Sequence, residues 1–332
     1  MQLRSHATPS QGIRSAAVEV RYGLDALPLD GGPSAVTVGF FDGVHLGHAA
    51  VIATVVEAAQ DRRLRPVAIT FDRHPKEVLA PGDEPRLLTT VERRAELIEA
   101  LGIEELVVLA FDRDFSLITA EEFVRRVLVE GLHARHAAMG ANFTFGYRAE
   151  GTMQALPELA APHDLTVASV PLVEVGGRVV SSTSIREALT AGDLEWPATA
   201  MGRRFVLDGE VVTGHGRGKG LGYPTANLRT WPRLLLPGQG IYAGVAEHGG
   251  HRYRTALDVG TNPTFGVEPL HVEAFLLDYD GPELPGEPLA IEFWARLRDE
   301  VRYEALDELV EAIAADVERT RGLVPTTVLG SE

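Results

Sequence analysis

The sequence predicts an α/β domain followed by an all-β domain closed by a terminal helix, and three observations carry that expectation. From Ala35 to about Leu189, short apolar runs alternate with helical patterns. After Gly202, short strands follow one another with only turn residues between them. The last stretch, Tyr303 to Arg321, repeats apolar residues at three- and four-residue steps. A length of 332 residues suits two domains of ordinary size.

In the first half, "AVTVGFF" (Ala35–Phe41), "PVAITF" (Pro66–Phe71), "LVVLAF" (Leu106–Phe111), "HAAMGANF" (His136–Phe143) and "LTVASVPLV" (Leu165–Val173) read as strands. The first three are almost continuously apolar, as strands covered on both faces must be. Between them lie helices. Ala49, Ile52, Val56 and Ala59 share one helical face. Thr89 with Glu92, and Thr119 with Glu122, have the spacing of capping boxes. Strand–helix–strand alternation implies a parallel sheet wrapped by helices, which is a Rossmann-like arrangement.

The rhythm changes after "TAGDLEWPATAMG" (Thr190–Gly202). "RRFVLDGEVVTG", "GIYAGVAEHGG", "HRYRTALDVG", "LHVEAFLLDYDG" and "PLAIEFWARL" are strands separated by Gly, Pro and Asp, the signature of a sandwich or small barrel. The terminal helix carries Tyr303, Leu306, Val310, Ile313 and Val317 on one face and is expected to stop at Gly322. The expected division is residues 16–189 for the first domain, 190–201 for a linker and 202–322 for the second domain.

Composition narrows the function classes. With 31 basic and 47 acidic side chains, the formal net charge of −16 disfavours nucleic acid as a partner. No apolar run reaches the length of a membrane span, and the amino terminus lacks a secretory h-region, so a cytoplasmic protein with no membrane partner is expected. The absence of cysteine excludes disulfides, thiolate metal sites and cysteine nucleophiles. A homo-oligomer is compatible with the sequence.

The stretch "GFFDGVHLGHAAVI" (Gly39–Ile52) places His45 and His48 where a strand gives way to a helix. Three readings compete. The two histidines could ligate a metal, but a third ligand would have to come from elsewhere. They could simply cap or fill a turn. Or they could serve an anion: a glycine-bearing turn into a helix lets backbone N–H groups and the positive helix end approach a phosphate. Imidazoles there can donate hydrogen bonds to it. Only the last reading also explains Asp42, Gly43 and Gly47 in the same turn.

This stretch resembles the HxGH signature of the nucleotidyltransferases. "TFDRHP" (Thr70–Pro75), "GANFTFGYRAEG" (Gly140–Gly151) and "SSTSIREAL" (Ser181–Leu189) follow in an order similar to the bacterial bifunctional riboflavin kinase/FMN adenylyltransferases, the FAD synthetases. The resemblance covers about residues 18–321. It implies a Rossmann-like nucleotidyltransferase domain and a riboflavin kinase β-barrel with a terminal helix. It also implies two activities: ATP and riboflavin give FMN, then ATP and FMN give FAD and pyrophosphate. Magnesium and ATP are then required, and no tightly bound redox cofactor. For the first domain it implies that His45, His48 and Arg186 act on the ATP phosphates. Gly39, Phe41, Asp42, Gly47, Ser182 and Thr183 shape that pocket, and His74 faces FMN. Asn142 stands where the family often has aspartate, and an amide can still hydrogen-bond a nucleotide or flavin edge.

In the second half, "GHGRGKGLGYPTANL" (Gly214–Leu228) is too glycine-rich for regular structure and matches no Walker loop. It resembles the flexible loop of the family's kinase half, implying that Gly214, Gly216, Gly222 and Pro224 cover ATP. Thr225 and Asn227 then hold magnesium, as hard oxygen donors do. "DVGTNPTFG" (Asp258–Gly266) implies a further wall containing Asn262. Glu273 lies in an apolar strand, on the side opposite Val272 and Ala274, and by pattern alone could face solvent or a site. Its match to the family's catalytic glutamate implies a general base for the neutral ribityl hydroxyl. "YDGPELPG" (Tyr279–Gly286) departs from the family's usual loop, and the terminal helix with Arg298 and Arg302 is expected to form a lid or flavin-side wall.

Overall fold

The computed structural model describes residues 18–27, 30–214, 217–231, 233–261, 264 and 270–329. The first domain is built on β1 (Glu19–Tyr22), β2 (Ser34–Val38), β3 (Arg65–Phe71), β4 (Glu105–Leu109), β5 (Ala134–Gly140) and β6 (Thr166–Val170). They form one parallel sheet in the order β1-β4-β3-β2-β5-β6. Every residue of β2 and β4 is buried, the polar Ser34, Thr37 and Glu105 included. Helix α1 (Leu46–Arg62) buries Val51, Ile52, Val55 and Ala59 on the sheet. Helix α2 (Val91–Glu99) adds Ala95 and Ile98 to the same core. From β2 the chain fills one side of the sheet, then crosses to β5 on the other. The β2–β5 boundary is therefore the switch point at which such sheets bind ligands, beyond the strands' carboxyl ends.

The second domain is a closed antiparallel barrel. Its strands are β7 (Val206–Val212), β8 (Ala226–Thr230), β9 (Gly240–His248), β10 (His251–Gly260), β11 (His271–Leu276) and β12 (Pro288–Arg298), in the order β7-β8-β11-β10-β9-β12. Pairing of β12 with β7 closes it, which removes every exposed sheet edge. Helix α5 (Leu306–Leu323) packs on β9 and β10.

The structure adds to these expectations or departs from them at four places. β1 was not anticipated; it is a short edge strand carrying a charge at Glu19 and another at Arg21. β8 lies in a stretch expected to be irregular: its glycines end at Gly222, and Ala226–Thr230 is free to pair on both sides. The stretch expected as a linker holds helix α4 (Glu195–Met201), capped by left-handed Gly202, directly after α3 (Ser182–Thr190). Helix α5 runs through Gly322 instead of stopping there.

The two domains share a core. Leu88, Val180, Ile185 and Leu189 of the first cluster with Leu194, just ahead of α4, Met201 of α4, and Phe205, Tyr242 and Phe293 of the barrel half. Polar contacts flank it: Leu87 N donates to Arg233 O at 2.7 Å, and Arg93 forks onto Asp208 at 2.5 and 3.1 Å. Among the described residues no helix is long and apolar enough to cross a membrane.

Candidate active sites

The first site grows from the turn after β2. Phe41, Gly43 and Val44 all have positive φ, at 53°, 80° and 35°. Glycine accepts that conformation freely; a β-branched valine does so only when its surroundings impose it. Asp42, 1% exposed, does much of the imposing. Its carboxylate accepts from Leu88 N at 2.9 Å, Thr89 N at 3.0 Å, the Thr89 hydroxyl at 3.1 Å and Arg186 at 2.6 Å. Thr89 is therefore not a helix cap. Its hydroxyl also accepts from Gly43 N, and Thr90 caps α2 by accepting from Arg93 N. The Thr119–Glu122 capping box is present.

His45 is the N-cap of α1: its Nδ1 accepts from His48 N at 3.3 Å. The capping reading thus holds for His45, and it fixes the chemistry of the ring. A nitrogen that accepts is unprotonated, so the neutral ring carries its hydrogen on Nε2 and can donate outward. The two imidazoles stack with centroids 3.6 Å apart. Burial lowers the His45 pKa to about 4, opposed by Asp42 and reinforced by Arg203 and Arg186. Burial also holds His48 well below the ordinary histidine value, with His45, Arg94 and Arg203 adding to the effect. Two neutral rings at a helix amino end suit an anion. The metal reading loses support, since one His45 nitrogen is committed to the backbone. Among the described residues no group of three or more His, Asp or Glu is placed to hold a metal.

Gly47 leaves little room: a Cβ there would stand 3.1 Å from the His45 ring. Ser182, in the first turn of α3, donates to Asp42 O at 2.9 Å, which brings the start of α3 onto the same turn. Thr183 is exposed beside it. Arg186 is paired with Asp42 and also donates to Arg86 O at 2.6 Å.

Next to this turn lies a cavity of about 690 Å³ lined by Gly39, Phe40, Phe71, Pro75, Phe111 and Phe143, among others. The rings of Phe71, Phe111 and Phe115 meet edge to face. His74 lies edge-on to Phe40 at 4.9 Å, at the border between cavity and turn. Asn142 is exposed in the turn after β5, just ahead of Phe143. Sequence reasoning missed this aromatic cavity. The signal was there: "GFF", "TFD", "AFD" and "NFTF" each put phenylalanine at the carboxyl end of a sheet strand.

The second site lies on the outer face of the barrel. Strand register sets Asn227 of β8 and Asp258 of β10 opposite Glu273 of β11. Thr225 donates its hydroxyl to Glu273 Oε2 at 2.8 Å, and His271 Nε2 is 3.3 Å from Oε1. Val272, Ala274 and Leu276 point into the core, so Glu273 points away from it. It faces a cavity of about 140 Å³ shared with Thr225, Asp258, Arg298 and Glu300 and roofed by Leu309 and Ile313 of α5. Burial, with Glu300 and Glu273 nearby, raises the Asp258 pKa to about 7. Glu300 was missed because it follows β12 and reaches this cavity only through the fold; Asp258, named only as the first residue of the Asp258–Gly266 stretch, is set opposite Glu273 by strand pairing. A Cβ on Gly214 would collide with the Asn227 amide, which gives that glycine a steric reason. Gly222 has φ 86°, and Pro224 is exposed beside Thr225. Gly216 and Asn262 lie outside the described residues. Arg298 is not on the terminal helix: it ends β12 and forks onto Asp316 of α5 at 2.7 and 3.0 Å, while Arg302 precedes the helix.

Comparisons with known proteins fall on the same two halves. A family model described as FAD synthetase matches residues 29–184, and one described as riboflavin kinase matches 201–324. A bifunctional riboflavin kinase/FMN adenylyltransferase from Bacillus subtilis (strain 168) is 34% identical over 85% of this chain and 90% of its own. The protein of that description from Escherichia coli (strain K12) is 31% identical over 89% and 93%. A crystal structure described as a macrolide-efflux protein from Streptococcus pneumoniae superposes with a TM-score of 0.81 at 30% identity, covering 92% of this chain and 99% of that one.

Proposed function

The chain belongs to the bifunctional riboflavin kinase/FMN adenylyltransferase family, and from that premise we propose which of its groups perform each step. It is an ATP-using transferase that phosphorylates riboflavin to FMN in its C-terminal domain and adenylylates FMN to FAD in its N-terminal one.

In the adenylylation step an FMN phosphate oxygen bonds to the α-phosphorus of ATP as the bond to pyrophosphate breaks. The attacking oxygen is already anionic, so the site needs position and charge stabilisation and no base. Neutral His45 and His48 at the mouth of α1 donate to the phosphates, and the first turn of α3 adds Ser182 and Thr183. Arg186 exchanges part of its contact with Asp42 for the nucleotide. The aromatic cavity takes the flavin ring, with His74 and Asn142 at its rim.

In the kinase step the acceptor is a neutral alcohol, which loses its proton to Glu273 as oxygen bonds to the γ-phosphorus and ADP departs. The Thr225 hydroxyl and Asn227 amide beside Glu273 are hard oxygen donors that fit magnesium and would hold it there. That ion would neutralise phosphate charge. The single observation carrying this assignment is the physical separation of the two constellations. A stacked neutral imidazole pair sits at a sheet switch point, and a carboxylate–hydroxyl–amide group sits on a barrel. We place both activities in the cytoplasm, away from membrane and nucleic acid.

The test is product analysis of purified variants. His45→Ala or His48→Ala removes FAD formation by about 100-fold or more while leaving FMN formation intact; Glu273→Ala does the reverse, on the scale of lost acid–base catalysis. Loss of both activities in either variant contradicts the division.

A further inference from the structure

Arg203 belongs to the kinase half, three residues before the first barrel strand, yet its side chain reaches the adenylylation turn. Its guanidinium donates to Val44 O at 2.9 Å, to Gly43 O at 2.5 Å and to Met201 O at 3.2 Å. All three acceptors are main-chain carbonyls. Burial and the neighbouring Arg93 push its pKa down to about 10, still far above neutrality, so it is a shielded fixed charge. Gly43 and Val44 are two of the three positive-φ residues of the turn, at φ 80° and 35°. A strained β-branched residue persists only where the surroundings over-determine it. Asp42 holds the turn from the first domain, and Arg203 holds it from the second. The α4 cap reinforces that approach: Gly202 stands close enough to Leu46, first residue of α1, that a Cβ would lie 3.3 Å from its methyl.

We propose that Arg203 is a positioning residue for adenylyl transfer, supplied by the kinase domain: by gripping the carbonyls of Gly43 and Val44 it holds the turn that aims His45 and His48. The inference rests on the assignment of those histidines to the adenylylation step. It makes the first site complete only when the barrel is docked, although the barrel contributes no group that touches the reacting phosphates.

A second consequence separates positioning from general support. The groups facing the two rings are Asp42 from the turn, Arg186 from α3, Arg94 from α2 and Arg203 from the kinase half. Asp42 favours ring protonation and the three arginines oppose it. Protonating His45 at Nδ1 would also break its cap on α1. Removing the Arg203 charge therefore moves the acid limb of FAD formation to higher pH.

The experiment uses full-length enzyme and measures FAD formation from FMN and FMN formation from riboflavin across pH. Arg203→Met is expected to lose FAD formation by about 10- to 100-fold, with FMN formation within about twofold of wild type. Its acid limb for FAD formation moves upward. Arg203→Lys keeps the charge and loses the fork, so its limb stays in place and its rate is intermediate. Asp208→Asn breaks a different interdomain contact and leaves both activities within about twofold. Arg203→Met retaining FAD formation, losing both activities together, or losing rate with an unmoved limb overturns the inference, as does an equal loss in Asp208→Asn. His45→Ala serves as the control: should it keep FAD formation, the site assignment itself fails and the inference with it.

Discussion

Asp42 and His45 show how single side chains hold a turn together and, in the roles proposed for them, serve chemistry as well. Asp42 gathers two backbone donors, a hydroxyl and the Arg186 charge into one buried carboxylate, so the turn, the Leu88–Thr89 segment and α3 meet at one point. His45 caps α1 with the nitrogen it cannot protonate without losing the cap. Its pKa falls from the unfolded value of 6.5 to about 4. Between those values the unfolded chain binds the proton and the folded one does not. Stability from this group is therefore complete above pH 6.5 and lost as pH falls toward 4, on the order of 3 kcal/mol in all. His45→Asn keeps a capping acceptor and removes the titration. Urea midpoints measured across that window should fall less steeply with acid in the variant than in wild type. "HLGH" was legible as a helix mouth because capping is local in sequence. Burial, which chiefly keeps the rings neutral, and the Arg94 and Arg203 charges that add to it were not legible. Both arginines arrive from other elements.

At the scale of elements, the proposed kinase site is a product of register. Glu273, Asn227 and Asp258 come from three strands, and the alternation of β11 alone left the direction of Glu273 open. Pairing with β8 decides it, because the barrel core takes Val272 and Ala274 and leaves Glu273 for the outer cavity. The loop ahead of β8 is fitted to that arrangement at Gly214, where any Cβ collides with the Asn227 amide. Gly214→Ala should slow FMN formation by about 10-fold through displacement of Asn227. FAD formation from supplied FMN should be unchanged, and paired assays on one preparation check this. The β8 strand itself escaped notice because its glycine-rich approach dominated the window.

For the whole molecule, the shared core means that the halves are chemically separate and mechanically joined. Leu189, fully buried, lies in the cluster that runs from α3 through α4 into the barrel. Leu189→Ala should cost about 2–5 kcal/mol, as large-to-small changes in packed cores do. The temperature at which both activities are lost should drop together, as read from residual FMN and FAD formation after heating. Loss of one activity at an unchanged temperature for the other would show that the halves unfold independently. The net charge of −16 does not oppose anionic substrates at sites where arginines and helix ends concentrate positive potential.

The sequence by itself determined the two-domain plan, the parallel sheet, the closing helix and the motifs around His45, Ser182 and Thr225. Each is written in short-range periodicity or in residues a few positions apart. Tertiary structure alone decided that phenylalanines ending separate strands line one cavity, that Asp258 stands across from Glu273, and that Arg203 grips a turn 159 residues away in the chain. The reason is physical: strand order and domain docking are set by burial of whole apolar faces, and no local pattern records which distant polar group that burial brings alongside.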